Sequence, residues 1–287
     1  MEGLSISAHG TLKLGIISIF SLVAFNRCQA FQQHQILLRC SRDDEKKLLL
    51  AQVQQKQEGA SPGSEWRSFD PKELGPGATY SLGISAIVPR PIALITTVSS
   101  LPEKGDDTDG GAGILNCAPF SYTGLLSHDP PIVCHGICLA NGQKKDTLVN
   151  IEETGQWVFN LISDSWLAKA NSCAEAFSSD VDEIQEAGLT AIPSDNVQVP
   201  RLEEAKVSLE CRLDSKREVF NDDGKHTTTV VFGRVVKFHV HESVLTERNG
   251  DPGRPLVDLK KMRFCGRAGD ITYWPAGEGQ ATPMERP

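Results

Sequence analysis

The run Lys144-Lys145-Asp146-Thr147 sets the first chemical question. It opens a stretch in which Leu148 and Ile151 have helical spacing, with Asp146 placed as N-cap and Gly155 as terminator. The first amides of a helix have no partner along the chain, and its dipole favours negative charge, so an anion is attracted there. Lys144 and Lys145 add charge at that point, Thr147 adds a hydroxyl donor, and Asn150 lies one turn further on. This set suits a phosphomonoester. The other reading is a solvated helix start with surface lysines.

Two more segments carry chemistry. In Asn116-Cys-Ala-Pro-Phe-Ser-Tyr122, small residues, a proline and polar side chains interrupt a strand. Such a stretch leaves backbone amides outside the ladder and lets a flat ligand come close, with Asn116 and Ser121 available to bond a ring system. An edge-strand bulge would look the same. The third segment is Val88-Pro-Arg-Pro91, followed by Thr96-Thr97. Arg90, fixed between prolines, either binds phosphate or anchors a turn.

The elements that must position these residues are mostly strands. Residues 43–58 read as a short helix and 59–78, with Pro62, Pro71 and Pro76, as a linker. Strand signals dominate from Tyr80 onward. Residues 91–98, 114–126 (interrupted by Pro119), 132–139 and 157–162 read as strands, and 207–219 with 227–240 as a long hairpin around Asn221-Asp-Asp-Gly224. Residues 102–113 are an acidic, glycine-rich turn. Helices are expected over 147–154 and 165–177, and after Asp180, where Glu183 completes a capping box that ends near Gly188. Strands without regular βα alternation predict a mainly β fold, an antiparallel barrel with attached helices.

The 287 residues carry a net charge of −8, which gives no electrostatic case for wrapping nucleic acid. No apolar run reaches the ~18 residues needed to span a bilayer. The eight cysteines form no C-x-x-C pair, so no zinc motif is expected. Cys134 and Cys138 share a strand face and are expected to pack in the core. His239 and His241 are expected on an exposed strand face rather than as metal ligands. Residues 1–42 differ from the rest. An apolar stretch from Leu14 to Phe25 is followed by Cys28-Gln29-Ala30, a cleavage pattern of a secretory leader. The lack of acidic residues from Gly3 to Arg42, with Arg27, Arg39 and Arg42 present, also fits an organellar transit peptide, and a buried N-terminal helix is the third reading. The expectation adopted is a cleaved leader with an organelle address, the plastid foremost because Phe31 follows Ala30, and the secretory pathway as the alternative. Loss of residues 1–30 would leave an odd number of cysteines, which disfavours a complete disulfide framework.

Tyr80-Ser-Leu-Gly-Ile-Ser-Ala-Ile-Val-Pro-Arg-Pro-Ile-Ala-Leu-Ile-Thr-Thr-Val98, Asn116-Cys-Ala-Pro-Phe-Ser121, Ser127-His-Asp-Pro-Pro131 and Lys145-Asp-Thr-Leu-Val-Asn-Ile151 resemble, in this order and spacing, the flavin reductase-like family. The branch they look most similar to is that of flavoredoxins and flavoprotein oxygenases. The resemblance implies an FMN-binding split β-barrel over residues 78–275, after a leader (1–42) and a helix and linker (43–77), with a flexible tail at 276–287. It implies FMN held noncovalently near the interface of a homodimer. Thr96 and Thr97 would flank the flavin. Asn116, Ala118, Pro119 and Ser121 would line its ring, and Lys145, Asp146, Thr147 and Asn150 would hold its phosphate. The function implied is an NAD(P)H-dependent flavin reductase-like oxidoreductase, with a non-enzymatic FMN-binding electron carrier or interaction module as the alternative. No G-x-G-x-x-G follows a strand, so NAD(P)H is expected as a transient donor without a Rossmann site. Neither spacing nor resemblance marks a catalytic side chain or a metal site.

Overall fold

Residues 66–101, 113–269 and 272–275 are described in the structure, a computed structural model. The leader, the helix at 43–58, most of the acidic turn at 102–113 and the tail at 276–287 lie outside the described residues. The compact unit that carries the candidate site begins at Pro71. It opens with a helix, α1 (Pro71–Ala86), broken inside by Gly75 at φ 74°. Pro71 and Pro76 each stand where a helical segment starts, a position that needs no amide donor. The hydroxyls of Ser81 and Ser85 bond back to the carbonyls of Gly77 and Ser81. The end of the linker expected over 59–78 therefore gives way to helix, which runs on past Tyr80 to Ala86. Arg90 anchors the end of α1: it is buried, and its Nη1 donates to the carbonyls of Ile84 and Ile87.

The strands follow: β1 (Arg90–Pro91), β2 (Ala93–Val98), β3 (Leu115–Phe120), β4 (Thr123–His128) and β5 (Pro131–Cys138). Helix α2 (Asp146–Thr154) leads into β6 (Gln156–Leu161); α3 (Leu167–Ser172) and α4 (Glu183–Glu186) come next. Then come β7 (Ala191–Ile192), β8 (Arg201–Leu202) and the long hairpin of β9 (Val207–Phe220) and β10 (His226–Val240). Beyond it lie the β11 (Leu245–Arg248) and β12 (Asp251–Val257) pair, α5 (Leu259–Met262), β13 (Cys265–Arg267) and β14 (Tyr273–Pro275). Seven strands form one sheet in the order β3-β2-β6-β9-β10-β5-β4. Its two end strands, β3 and β4, are joined only by Ser121 and Tyr122. A sheet whose ends are consecutive in the chain must curl into a barrel, split here along the β3–β4 seam. Pro119 sits on an edge strand, where a missing donor costs no ladder bond.

The barrel is filled by Ala93, Ile95, Phe120, Val133, Ile137, Trp157, Phe159 and Val231, among others. A second cluster, with Leu94, Cys117, Ile162, Trp166, Cys173 and Leu202, covers the opposite face of β2. Strand β2 is buried along its whole length, which its β-branched run suits. Gly233 is required where β10 crosses the Trp157 indole, since a Cβ there would stand 2.2 Å from Cζ2.

Several local expectations shift. On β5 the core face is Val133, His135 and Ile137, while Cys134 is half-buried and Cys138 exposed. The interior accepts His135 because both ring nitrogens are satisfied. Trp157 Nε1 donates to His135 Nε2 at 3.2 Å, so Nδ1 carries the proton toward Thr123 Oγ1, 2.7 Å away. Burial pushes this imidazole down to about 3, so it stays neutral. His239 is not on an exposed face. It lies 2.5 Å from a carboxylate oxygen of Glu210, a fully buried residue that also accepts the amides of Asp195, Asn196 and Val197. The helix expected over 165–177 is confined to a 3-10 turn and α3. The cap of α4 is Asp182, two residues beyond the one expected, and it takes the amides of Ile184 and Gln185.

Candidate functional site

Helix α2 ends as expected, with Gly155 in the left-handed conformation at φ 66° and its amide on the Ile151 carbonyl. Its start differs. Lys145 occupies the cap position without a side-chain cap bond, and Asp146 is the first helical residue. The Lys145 carbonyl accepts from Leu148 and Val149, so the amides of Asp146 and Thr147 remain free of intrahelical bonds. The two lysines part company. Lys144 pairs with Glu152 at 2.6 Å, and Glu152 also takes Lys216. Lys145 is exposed, with Nζ 5.9 Å from the centre of the Phe120 ring, and has no carboxylate within ion-pair range among the described residues.

Behind this helix start lies a buried polar hub. Asn116 Oδ1 accepts the hydroxyls of Thr97 at 3.0 Å and Thr147 at 2.9 Å. Asn150 Nδ2 donates to Thr97 Oγ1 at 3.0 Å. Asn116 Nδ2 donates to Glu183 Oε2 at 2.5 Å, and the same oxygen takes the Cys117 amide at 2.7 Å. Asn116 thus ties β2, β3, α2 and α4 together, and its side-chain amide is used at both ends. Buried networks of this kind fix one arrangement because each unpaired group would cost about 1–3 kcal/mol.

Glu183 is the member that sequence reasoning missed. It read as half of a capping box, but its carboxylate crosses to β3. Burial pushes this carboxyl up to about 7; the charges of Asp146 and Asp182 add to the rise, and the bonds from Cys117 and Asn116 oppose it. A folded-state value above the unfolded one means stability that is full below the unfolded value and declines as pH rises through about 7. Unfolding free energies from urea titrations should fall by roughly 3 kcal/mol between about pH 4 and about pH 8 in the wild type and stay flatter in Glu183→Gln. Parallel pH profiles would rule out this role for Glu183.

The structure brings Thr97, Asn116, Thr147 and Asn150 into one cluster, with little surface exposed. Thr96, the neighbour of Thr97, faces the other way and gives its hydroxyl to the Pro200 carbonyl at 2.6 Å. Its environment is set by a second hub, Asn160, whose Nδ2 reaches Leu94 and Thr96 and whose Oδ1 takes Leu202 and Ser208. No local pattern marks the role of either Glu183 or Asn160, because the partners that define it are distant in the chain. Ala118, Pro119 and Ser121 are half-buried along β3 and its exit. Asp146, Asn150 and Glu183 line a cavity of about 340 Å³ together with Asn116, Ser99 and Glu153. No helix among the described residues is long and apolar enough to cross a membrane.

Known proteins are similar to this chain in sequence and fold. The YwrF protein of Bacillus subtilis is 34% identical over 182 residues, covering 63% of this chain and 83% of the relative. Nitrilotriacetate monooxygenase component B from Bacillus cereus superposes with a TM-score of 0.65 at 29% identity, over 75% of this chain and 98% of its own. The 2-nitrobenzoate 2-nitroreductase NbaA of Pseudomonas fluorescens gives 0.62 at 25%, over 77% and 96%. These findings correct one expectation. The curated relatives include proteins of the bacteria Bacillus subtilis, Aquifex aeolicus and Deinococcus radiodurans, and they argue against an organelle address. The organelle address, with the transit peptide and the secretory alternative, is withdrawn. The sequence pattern described as the flavin reductase like domain matches residues 85–265, from the end of α1 through the whole barrel to β13. Since that match takes in more than half of the chain and every strand of the main sheet, the protein belongs to the flavin reductase-like family.

Proposed function

We propose that this protein binds FMN and works as an NAD(P)H-dependent flavin oxidoreductase. The observation that carries this reading is the Asn116 hub, which holds the ring-facing strand β3 and the anion-facing start of α2 in one rigid unit. The residues fit the cofactor. Lys145 and the free amides of Asp146 and Thr147 offer a cation and donors for a phosphate. Ala118, Pro119 and Ser121, half-buried on edge strand β3 and its exit, offer small, mostly apolar groups and one hydroxyl along an open edge for a flat ring. Thr97, Thr147 and Asn150 then act as supports, because their polar atoms are already bonded to one another or to Asn116. The chemistry FMN supplies when bound is acceptance of a hydride and onward transfer of two electrons. The chain's part is to bind, orient and exclude water.

The similarity to a monooxygenase component and to a nitroreductase supports an acceptor that is either a separate oxygenase or a small oxidised organic molecule. A homodimer completes the reading. Tyr122, Leu125 and Leu126 are large, exposed and clustered on β4 and the turn before it, at the mouth of the seam. Light scattering of the purified protein reads the dimer directly. The test of function is titration of the cofactor-free chain with FMN, followed by addition of NADH or NADPH under air. Saturable binding and steady consumption of the nicotinamide are expected. Binding without consumption would favour an electron carrier, and no binding at all would reject the assignment.

A further inference from the structure

We propose that Cys117 and Cys173 are a redox-active dithiol that closes to a disulfide when the protein meets a hydroperoxide. Their sulfurs lie 3.1 Å apart. Cys117 is in edge strand β3, next to Asn116, and Cys173 directly follows α3, so the pair joins two elements 56 residues apart in the chain. Both side chains are buried in the cluster outside the barrel. Among the described residues no other cysteine sulfur is in hydrogen-bond contact with a second one. In a reducing compartment such a pair rests as thiols, and disulfides that form there are transient.

The geometry also assigns the order of events. The Cys117 thiol donates to Cys173 Sγ, while the Cys173 thiol faces the Lys169 carbonyl at 3.5 Å. The bond to Cys173, and then burial, hold the Cys117 thiol far above its usual range, so Cys117 keeps its proton. Cys173, which accepts that hydrogen bond, is the attacking sulfur. With hydrogen peroxide, Cys173 sulfur attacks one oxygen, the O–O bond breaks, and Cys173 sulfenic acid and one water form. The Cys117 sulfur then attacks the sulfenic sulfur. The S–S bond forms, and the hydroxyl leaves with the Cys117 proton as a second water. The two thiols lose two electrons and two protons, and the peroxide is reduced to two waters.

Closure to the ~2.05 Å of a disulfide draws the sulfurs together by about 1 Å. That movement acts on Cys117, whose amide is held by Glu183 and whose neighbour is the hub residue Asn116. Oxidation at this pair therefore bears on the site without any oxidant entering it.

The test uses the full chain, reduced and then exposed to a modest molar excess of hydrogen peroxide. The reaction is stopped with catalase, the protein is alkylated under denaturing conditions, and its digest is mapped by mass spectrometry. The expected product is a Cys117–Cys173 linked peptide, two hydrogens lighter than its reduced parts and abolished by dithiothreitol. In Cys173→Ser the same dose should leave Cys117 alkylated. Recovery of both residues as alkylated thiols while exposed Cys138 is oxidised would overturn the proposal. So would linkage of either residue to a different cysteine, or sulfinic acid on Cys173 without a link. The mapping involves no flavin, so it stands or fails separately from the FMN assignment.

Discussion

Asn116→Leu is expected to destabilise the protein by roughly 3–6 kcal/mol, enough to unfold a marginal domain. The substitution keeps a similar side-chain size and removes the three bonds made by the Asn116 side chain. It leaves the Thr97 and Thr147 hydroxyls and the Glu183 carboxylate each short of a buried partner. These costs are not strictly additive, because the groups share one network. Asn116→Asp separates the two ends of the hub. It retains an acceptor for both threonines but places carboxylate oxygens where Asn116 Nδ2 now lies 2.5 Å from Glu183. That variant should fold best at low pH, where one proton can sit between the two acids, and should lose stability steeply toward neutrality. Urea unfolding at several pH values measures both. A loss below about 1 kcal/mol for Asn116→Leu would mean that water replaces the hub without penalty.

Lys145→Ala should weaken FMN binding by about tenfold or more and leave riboflavin binding nearly unchanged. A charge-assisted hydrogen bond to phosphate is worth ~1.5–3 kcal/mol, and each 1.4 kcal/mol is about tenfold. Riboflavin has the ring without the phosphate, so it reports on β3 alone. Flavin fluorescence titrations of the two ligands against the same protein make the comparison. Equal losses for both would place the phosphate elsewhere. Thr147 is the wrong residue for this experiment, although the sequence puts it beside Lys145. Its hydroxyl is committed to Asn116, so Thr147→Ala would mix lost stability with lost affinity.

What was legible in the sequence was what local pattern controls. Alternating and β-branched runs gave β2, β5, β6 and the β9–β10 hairpin, and Gly155 gave the end of α2. The segments around Thr97, Asn116 and Thr147 were also found, because proline, small residues and a helix start have local physical meaning. Their mutual bonds were not legible, since Thr97 and Asn150 are 53 residues apart and Asn116 and Glu183 are 67 apart. Helix α1 was missed for a different reason. Its prolines and glycines carry linker statistics, although Pro71 and Pro76 stand where a helix tolerates them. The phase of β5 was misjudged because a histidine reads as polar until Trp157 and Thr123 satisfy it.

The bond from Cys117 to Glu183 has a meaning for the chain's behaviour at high concentration. Strand β3 ends the sheet, and the outer donors of an end strand invite a strand from another molecule. Outward amides alternate along a strand, and Cys117 supplies one of them. The next in that alternation would be residue 119, which is proline and has no donor. One outer donor is thus taken by a buried carboxylate and the following one does not exist. An intruding strand would have to displace α4 and leave Glu183 without its amide partner. The strand proposed to line the flavin is in this way also poorly able to seed intermolecular β-aggregation.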